Sequence, residues 1–342
     1  MLCGVTTSPT PQRVMPRSAV AAPAVVAAAV LFGTTGTAQE LGPDGTTPLG
    51  VGTLRIVVGS VALWCFARRF PPLDVLRRHL GLFVLGAVGV AAYQPAFFAG
   101  TARSGVALGT VVALGSGPVF AGLIELVWLK RVPSRRWFIA TAVTVAGGAL
   151  LVLSGARGGV SGDDVVTFVG VAASLAAGAS YAVYAIASKL MIMRGVHSTV
   201  SLAWPFTLGA LVLVPFAAAE PLGWATSGSG MLMLAHLGIL TVGLAYFLYG
   251  WGLRTLETST AVTLTLAEPV TAALLAVVVL DERLRPTGWA GVALVVLGLA
   301  MVGGVRLRAF GRGWGRREVP RSASSGTAAA TGRRARRRPA DR

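Results

Sequence analysis

Ten apolar stretches follow one another along this chain, near residues 20–38, 48–67, 80–100, 104–129, 136–154, 165–188, 199–219, 231–252, 258–280 and 287–305. Each has roughly the length a helix needs to cross about 30 Å of hydrocarbon at about 1.5 Å per residue. Backbone inside lipid must satisfy its own N–H and C=O groups, so such a series folds as a helical bundle. A transmembrane barrel would show short segments of alternating polarity instead. Composition agrees with the bundle. The chain is 54% hydrophobic and 13% charged, against roughly 25% charged in a soluble domain. Its 44 glycines suit helices that approach closely in lipid. The expected fold is an all-α integral membrane protein with ten transmembrane helices.

The loops set the orientation. One side carries Arg13, Arg17, Arg68, Arg69, Arg77, Arg78, Lys130, Arg131, Arg135, Arg136, Lys189, Arg194 and Arg254; the other carries Arg103, Arg157, Arg283 and Arg285. Basic residues concentrate on the cytoplasmic side of a membrane protein. An even number of spans then leaves both termini in the cytoplasm, as expected for a multi-pass protein of the cell membrane. Twelve of the 30 Lys and Arg residues lie after Gly304. That stretch, 306–342, reads as a disordered basic tail, and residues 1–18 as a disordered amino-terminal segment. The net charge of +17 therefore points to anionic lipid rather than to nucleic acid.

The two halves repeat. Leu126–Trp137 and the Gly-rich run after it match Val277–Trp289 and its own Gly-rich run. Pro118-Val119 matches Pro269-Val270 in the same register. Five spans per half is odd, so the copies are expected to thread the membrane in opposite directions. Inverted five-helix repeats are a transporter architecture with the solute site near the midplane.

The residues that carry a family resemblance are Ala267-Glu268-Pro269-Val270, Leu280-Asp281-Glu282-Arg283-Leu284 and Gly288-Trp289-Ala290-Gly291. Phe32-Gly33, Arg55 and the run Ala177–Lys189 add to them. Together the chain resembles the EamA-type branch of the drug/metabolite transporter superfamily. The resemblance implies one repeat over 19–154 and a second over 165–305. It also implies export of a small organic metabolite such as an amino acid, by alternating access, with proton coupling and a homodimer as candidate features. The chain departs from the pattern in both copies: in the first, Lys130-Arg131 stands where an acidic pair is usual and Gly117-Pro118 lacks the acid found at Glu268, and in the second, Asp281 replaces a glycine.

Charged side chains inside hydrocarbon face a partner or an aqueous cavity. Glu268 lies deep in the ninth span, and Pro269 beside it removes a backbone donor and disturbs the carbonyl of Thr265. Pro118 and Pro269 are therefore candidate helix breaks. Glu268 reads as a ligand or proton site, or as a protonated carboxyl bonded to a neighbouring helix. Arg55 reads as a bidentate clamp for a solute carboxylate or phosphate, as a salt bridge to Glu268 or Glu40, or as a clamp on backbone. Glu125 reads as an interfacial ion pair with Lys130 or Arg131. Candidate cavity aromatics are Tyr93, Phe97, Phe98, Tyr181, Tyr184, Trp204, Tyr246, Tyr249 and Trp251, with packing or an interfacial belt as the alternative. Tyr181 with Tyr184, and Tyr246 with Tyr249, share a helix face. Gly105-x-x-x-Gly109 offers a close helix contact.

Several classes are excluded or disfavoured. No Cys, His and Asp cluster has metal-ligand spacing, so no metal or cofactor is expected. No phosphate-binding Gly-rich loop, Ser-centred elbow or zinc-peptidase pair is present, so an enzyme is not expected. His79 and His197 fall in loops, and His236 reads as a satisfied interior histidine. Cys3 and Cys65 cannot build a disulfide framework, and Cys65 reads as inert packing. The remaining rivals are a nucleotide-sugar or organic-phosphate carrier, which would show several basic residues in its cavity, and a membrane sensor or enzyme without transport.

Overall fold

Helices account for all regular structure in the computed structural model, which describes residues 20–68, 73–104, 106–155, 164–281 and 283–312. Their order is α1 (Ala21–Glu40), α2 (Pro48–Ala67), α3 (Leu80–Ser104), α4 (Val106–Leu129) and α5 (Arg135–Gly155). The second half continues as α6 (Asp164–Met193), α7 (Val200–Ala217), α8 (Gly228–Leu253), α9 (Thr258–Val279) and α10 (Pro286–Arg312). Among the described residues, nine of these are long and apolar enough to span a membrane, and α10 adds an apolar stretch over Pro286–Val302. A short helix, Leu73–Arg78, precedes α3. The helix of α10 continues through 306–312, which the sequence reading had assigned to the tail. The rest of that tail, residues 1–18, Arg69, Gly105, Arg157 and Glu282 lie outside the described residues.

Local chemistry fixes the ends. Thr47 caps α2 by accepting the Gly50 N–H at 3.2 Å, and Pro48 fills the first turn where its missing donor costs nothing. Ser227 caps α8 in the same way through Gly230. Helix α6 ends in a Schellman turn. Gly195 has φ 85°, Val196 N–H reaches Met191 O, and Gly195 N–H reaches Ile192 O. Lys130 and Asp281 follow α4 and α9 with φ 53° and 56°. That left-handed position explains why a glycine suits residue 281.

Two helices in the second half are irregular. Residues His236–Leu244 of α8 form a π-helix. Residues Thr265–Ala267 of α9 form a 3₁₀ turn immediately before Glu268 and Pro269. Pro118, by contrast, does not interrupt α4, which is helical on both sides of it. The expected break at Pro118 is thus corrected: the ring is accommodated in a continuous helix, as happens where neighbouring helices support the backbone.

Packing is paired between the halves. Helix α3 lies along α6 and α7, and α8 lies along α1 and α2. Helix α4 packs on α6 as α9 packs on α1. The helices α5 and α10 pack on each other, with small residues at the contact. A Cβ on Gly291 would fall 2.6 Å from Leu151 N and 2.7 Å from Gly147 O, so only glycine allows that approach. Thr144 meets Gly298 and Ser154 meets Gly288, so α5 and α10 run antiparallel.

The buried interior joins Val25, Ala28, Leu63, Tyr249, Leu253 and Leu264 from both halves. Val88, Val119, Leu126, Leu211, Phe216 and Leu297 are exposed on the outside. In water these would form a large apolar patch; in a multi-pass membrane protein they face acyl chains. Cys65 is also exposed on α2, not packed inside as read from the sequence.

Candidate functional site

A cavity of about 490 Å³ lies between the halves. One end of it is lined by Gly36 and Gln39 of α1 and Thr101 of α3, and Gly36 and Gln39 are exposed there. Deeper, Arg55, Tyr93, Gln94, Tyr181, Tyr184, Tyr246 and Glu268 form its walls and floor. Six helices meet at this point, namely α1, α2, α3, α6, α8 and α9, with Leu114 of α4 completing the lining. The size suits a small organic solute.

The irregular helices supply polar wall. The π-stretch of α8 brings Thr241 and Val242 to the cavity. The 3₁₀ turn of α9 leads directly into Glu268, so the carboxylate enters where the helix changes pitch. Arg55 shares the cavity with Glu268 but makes no ion pair with it. Arg78 and Asp74, by contrast, form a salt bridge at 3.7 Å on the surface. Arg55 Nε is shielded from solvent and has no hydrogen-bond partner. The cavity thus holds a cationic fork and a carboxylate that do not neutralise each other by contact. Buried charges of this kind are costly unless something else engages them. Glu40, the other partner considered for Arg55, is exposed at the end of α1.

The aromatic residues divide. Tyr93 and Phe97 stack at 5.8 Å with an interplanar angle of 11°, and Phe98 packs edge-on to Phe97. Tyr184 Oη and Tyr246 Oη are 2.7 Å apart, joining α6 to α8 across the floor. Tyr181 Oη lies 2.9 Å from Thr265 Oγ1, tying α6 to the 3₁₀ turn of α9. Phe32 and Phe206 flank the Tyr246 ring at 5.0 and 4.4 Å. Tyr249 is fully buried behind this wall against Tyr181 and Tyr246, and does not line the cavity. Trp204 packs elsewhere, against Trp64 and Phe83. His236 Nε2 is 2.9 Å from Thr34 Oγ1, which itself donates to Leu31 O, so the histidine is satisfied inside the bundle.

Gln94 and Gly52 are among the lining residues that the sequence does not single out. Gln94 is 3% exposed on a helix otherwise apolar at that depth. Its signal was available, as a lone amide next to Pro95 in the middle of a span. Gly52 faces it. A Cβ there would sit 2.9 Å from Gln94 Oε1, so the glycine leaves room for the amide.

Beyond the floor the bundle is closed. Thr141 and Thr263 hydrogen-bond at 3.1 Å. Glu125 is 2% exposed and accepts the backbone N–H of Thr258 at 2.5 Å and of Ser259 at 3.3 Å. It caps the first turn of α9, in place of the interfacial pair with Lys130 or Arg131 considered from the sequence. Lys189 is 7% exposed and donates to Leu253 O and Leu256 O at 2.7 Å each. Among the described residues, no group of His, Cys, Asp and Glu is arranged to hold a metal ion.

Residues 20–153 match the family described as "EamA-like transporter family", and residues 168–304 match it a second time. The chain is 38% identical over 278 residues to the uncharacterized transporter YwfM of Bacillus subtilis (strain 168), covering 81% of this chain and 92% of that protein. It is 26% identical over 285 residues to the uncharacterized inner membrane transporter YicL of Salmonella typhimurium, covering 81% and 93%. One solved crystal structure aligns with a TM-score of 0.72 over 84% of this chain and 98% of that one. At 24% identity it shares the fold.

Proposed function

From the premise that the chain belongs to the EamA-like transporter family, we propose that it is a secondary transporter exporting a small organic metabolite of amino-acid type. Two oppositely threaded five-helix halves rock about the cavity and expose it to each side in turn. The observation that carries this reading is the cavity itself: about 490 Å³, open at one end, with Arg55 and Glu268 present and not paired by contact. A carboxylate on the solute would engage the Arg55 fork, and an ammonium would engage Glu268. Tyr93, Phe97 and Tyr246 offer apolar rings for the solute body. The antiparallel contact of α5 and α10 supports the inverted threading, as do the matched packing partners of the halves.

In this reading ten spans cross the cell membrane. Both termini are cytoplasmic, and the basic tail lies against anionic headgroups. A homodimer is a candidate assembly. Among the described residues, Arg55 is the sole basic residue lining the cavity, which favours a zwitterion over the polyanionic solutes of a nucleotide-sugar or organic-phosphate carrier.

Glu268 is the proposed coupling group, holding a proton or a solute ammonium in alternation. The test is uptake by proteoliposomes of radiolabelled amino acids, with and without an imposed pH gradient. Wild-type protein is expected to concentrate at least one of them, and Glu268→Gln to lose its gradient dependence. Gradient-driven transport by Glu268→Gln at the wild-type rate contradicts the coupling role, and absence of flux for every solute class contradicts the transport reading.

A further inference from the structure

The turn between α8 and α9 is held from both sides by a buried charge. Lys189 of α6 binds the last carbonyl of α8, that of Leu253, and the carbonyl of Leu256 in the turn that follows. Glu125 of α4 binds the first N–H groups of α9, those of Thr258 and Ser259. Each charge sits at the helix end whose dipole attracts it. Each is almost wholly buried, where a charge must be bonded to be tolerated. Both contacts therefore exist only while α4 and α6 stay closed on the α8–α9 hairpin.

Their position gives them a role. Glu125 lies about 16 Å beyond the lining residue Leu114 along α4, and Lys189 about 12 Å beyond Tyr181 along α6. They sit at the sealed end, past the Tyr184–Tyr246 and Tyr181–Thr265 contacts of the floor. Among the described residues the opposite end has no such buried acid. The register of Pro118 with Pro269 places Ala276 of α9 opposite Glu125. The charge on the hairpin is thus one-sided in a molecule whose packing is otherwise matched between halves.

We propose that Glu125 and Lys189 are positioning residues that latch the α8–α9 hairpin shut and set the resting state as the one open at the α1–α2 end. The latch opens once in each transport cycle. Release of the Thr258 and Ser259 N–H groups from Glu125, and of the Leu253 and Leu256 carbonyls from Lys189, lets the sealed end part. The latch rests on the alternating-access reading above.

The experiment uses full-length protein in proteoliposomes, with Cys3→Ser and Cys65→Ser as background. Thr35→Cys reports on the cavity mouth, and Thr263→Cys on the closed layer. Each is alkylated with a membrane-impermeant maleimide from either face, with and without Glu125→Gln. Labelling of Thr263→Cys from the α8–α9 face is expected to rise about tenfold, the shift a two-state equilibrium shows when a charge-assisted contact is weakened. Labelling of Thr35→Cys from the α1–α2 face is expected to fall. Lys189→Met is expected to act in the same direction, as a second variant that does not depend on the first folding. Unchanged rates at both reporters, in protein that elutes as a single species, overturn the latch. Failure of both variants to fold overturns it too, because a contact broken in every cycle cannot be required for the fold. Absence of flux in the wild type would count against the transport reading alone, since the labelling needs no substrate.

Discussion

Helices α4 and α9 begin from matching sequence and end in matching caps, yet one is smooth and the other is broken. Both carry proline in the same register, Pro118 and Pro269, and both end in a left-handed residue, Lys130 and Asp281. Before Pro118 stands Gly117, and α4 runs on without interruption. Before Pro269 stands Glu268, and the three residues ahead of it tighten into a 3₁₀ turn. Proline alone therefore does not break these helices. The break comes where the turn is also held from outside, by Tyr181 on Thr265, and where a charged side chain enters a cavity. Helix α4 spends its own acid differently, placing Glu125 at the sealed end as a cap for α9. Glu268 of α9 lines the cavity, whereas Glu125 of α4 is buried as the cap of α9.

This contrast can be broken at several points. The largest effect is expected at Glu268. Its replacement by Gln should lower apparent affinity in solute uptake by about 30- to 100-fold, the cost of leaving a cavity charge contact unmade. Pro118→Ala should leave uptake within about twofold of wild type, because α4 is already continuous.

Next comes the cap. Glu125→Ala strands two buried backbone donors, and should lower stability by about 3 kcal/mol in a detergent denaturation series. A loss below about 0.5 kcal/mol would mean that water serves the Thr258 and Ser259 N–H groups equally well.

Pro269→Ala restores a donor at the break and should lower uptake by about tenfold, by letting the helix close and redirecting Glu268. The smallest effect is expected at the matching caps. Lys130→Gly and Asp281→Gly should each raise stability by about 0.5–1 kcal/mol, since glycine enters the left-handed region without a Cβ penalty. A gain at only one of them would show that the two helix ends are not equivalent.

Nine spans were readable in the sequence because lipid demands long apolar runs, and most of their ends fell within a few residues of the helices observed, while α6 runs on to Met193 and α10 to Arg312. The wall was readable where one helix carries two residues on the same face, as with Tyr181 and Tyr184. It misled at Tyr249, since a shared face says nothing about which ring stands in front. The partners of Glu125 were not readable. They lie 133 and 134 residues away along the chain, and they are backbone N–H groups, which leave no mark in side-chain identity. Lys189 was counted as a loop charge because it stands at the end of an apolar run, yet it turns inward. The π-stretch of α8 has no proline or charge to announce it. Along it Gly238, Val242 and Gly243 pack closely against Val58, Gly59 and Ala62 of α2, contacts that no local sequence signal marks.

The alternating-access reading depends on two copies crossing the membrane in opposite directions. The direct measurement places single cysteines at the matching caps, Lys130→Cys and Asp281→Cys, in the Cys3→Ser and Cys65→Ser background, and labels intact cells with a membrane-impermeant maleimide. Equivalent caps of oppositely threaded copies must face opposite sides, so Asp281→Cys should label from outside while Lys130→Cys labels only after the membrane is opened. Labelling of both from the same face would contradict the account.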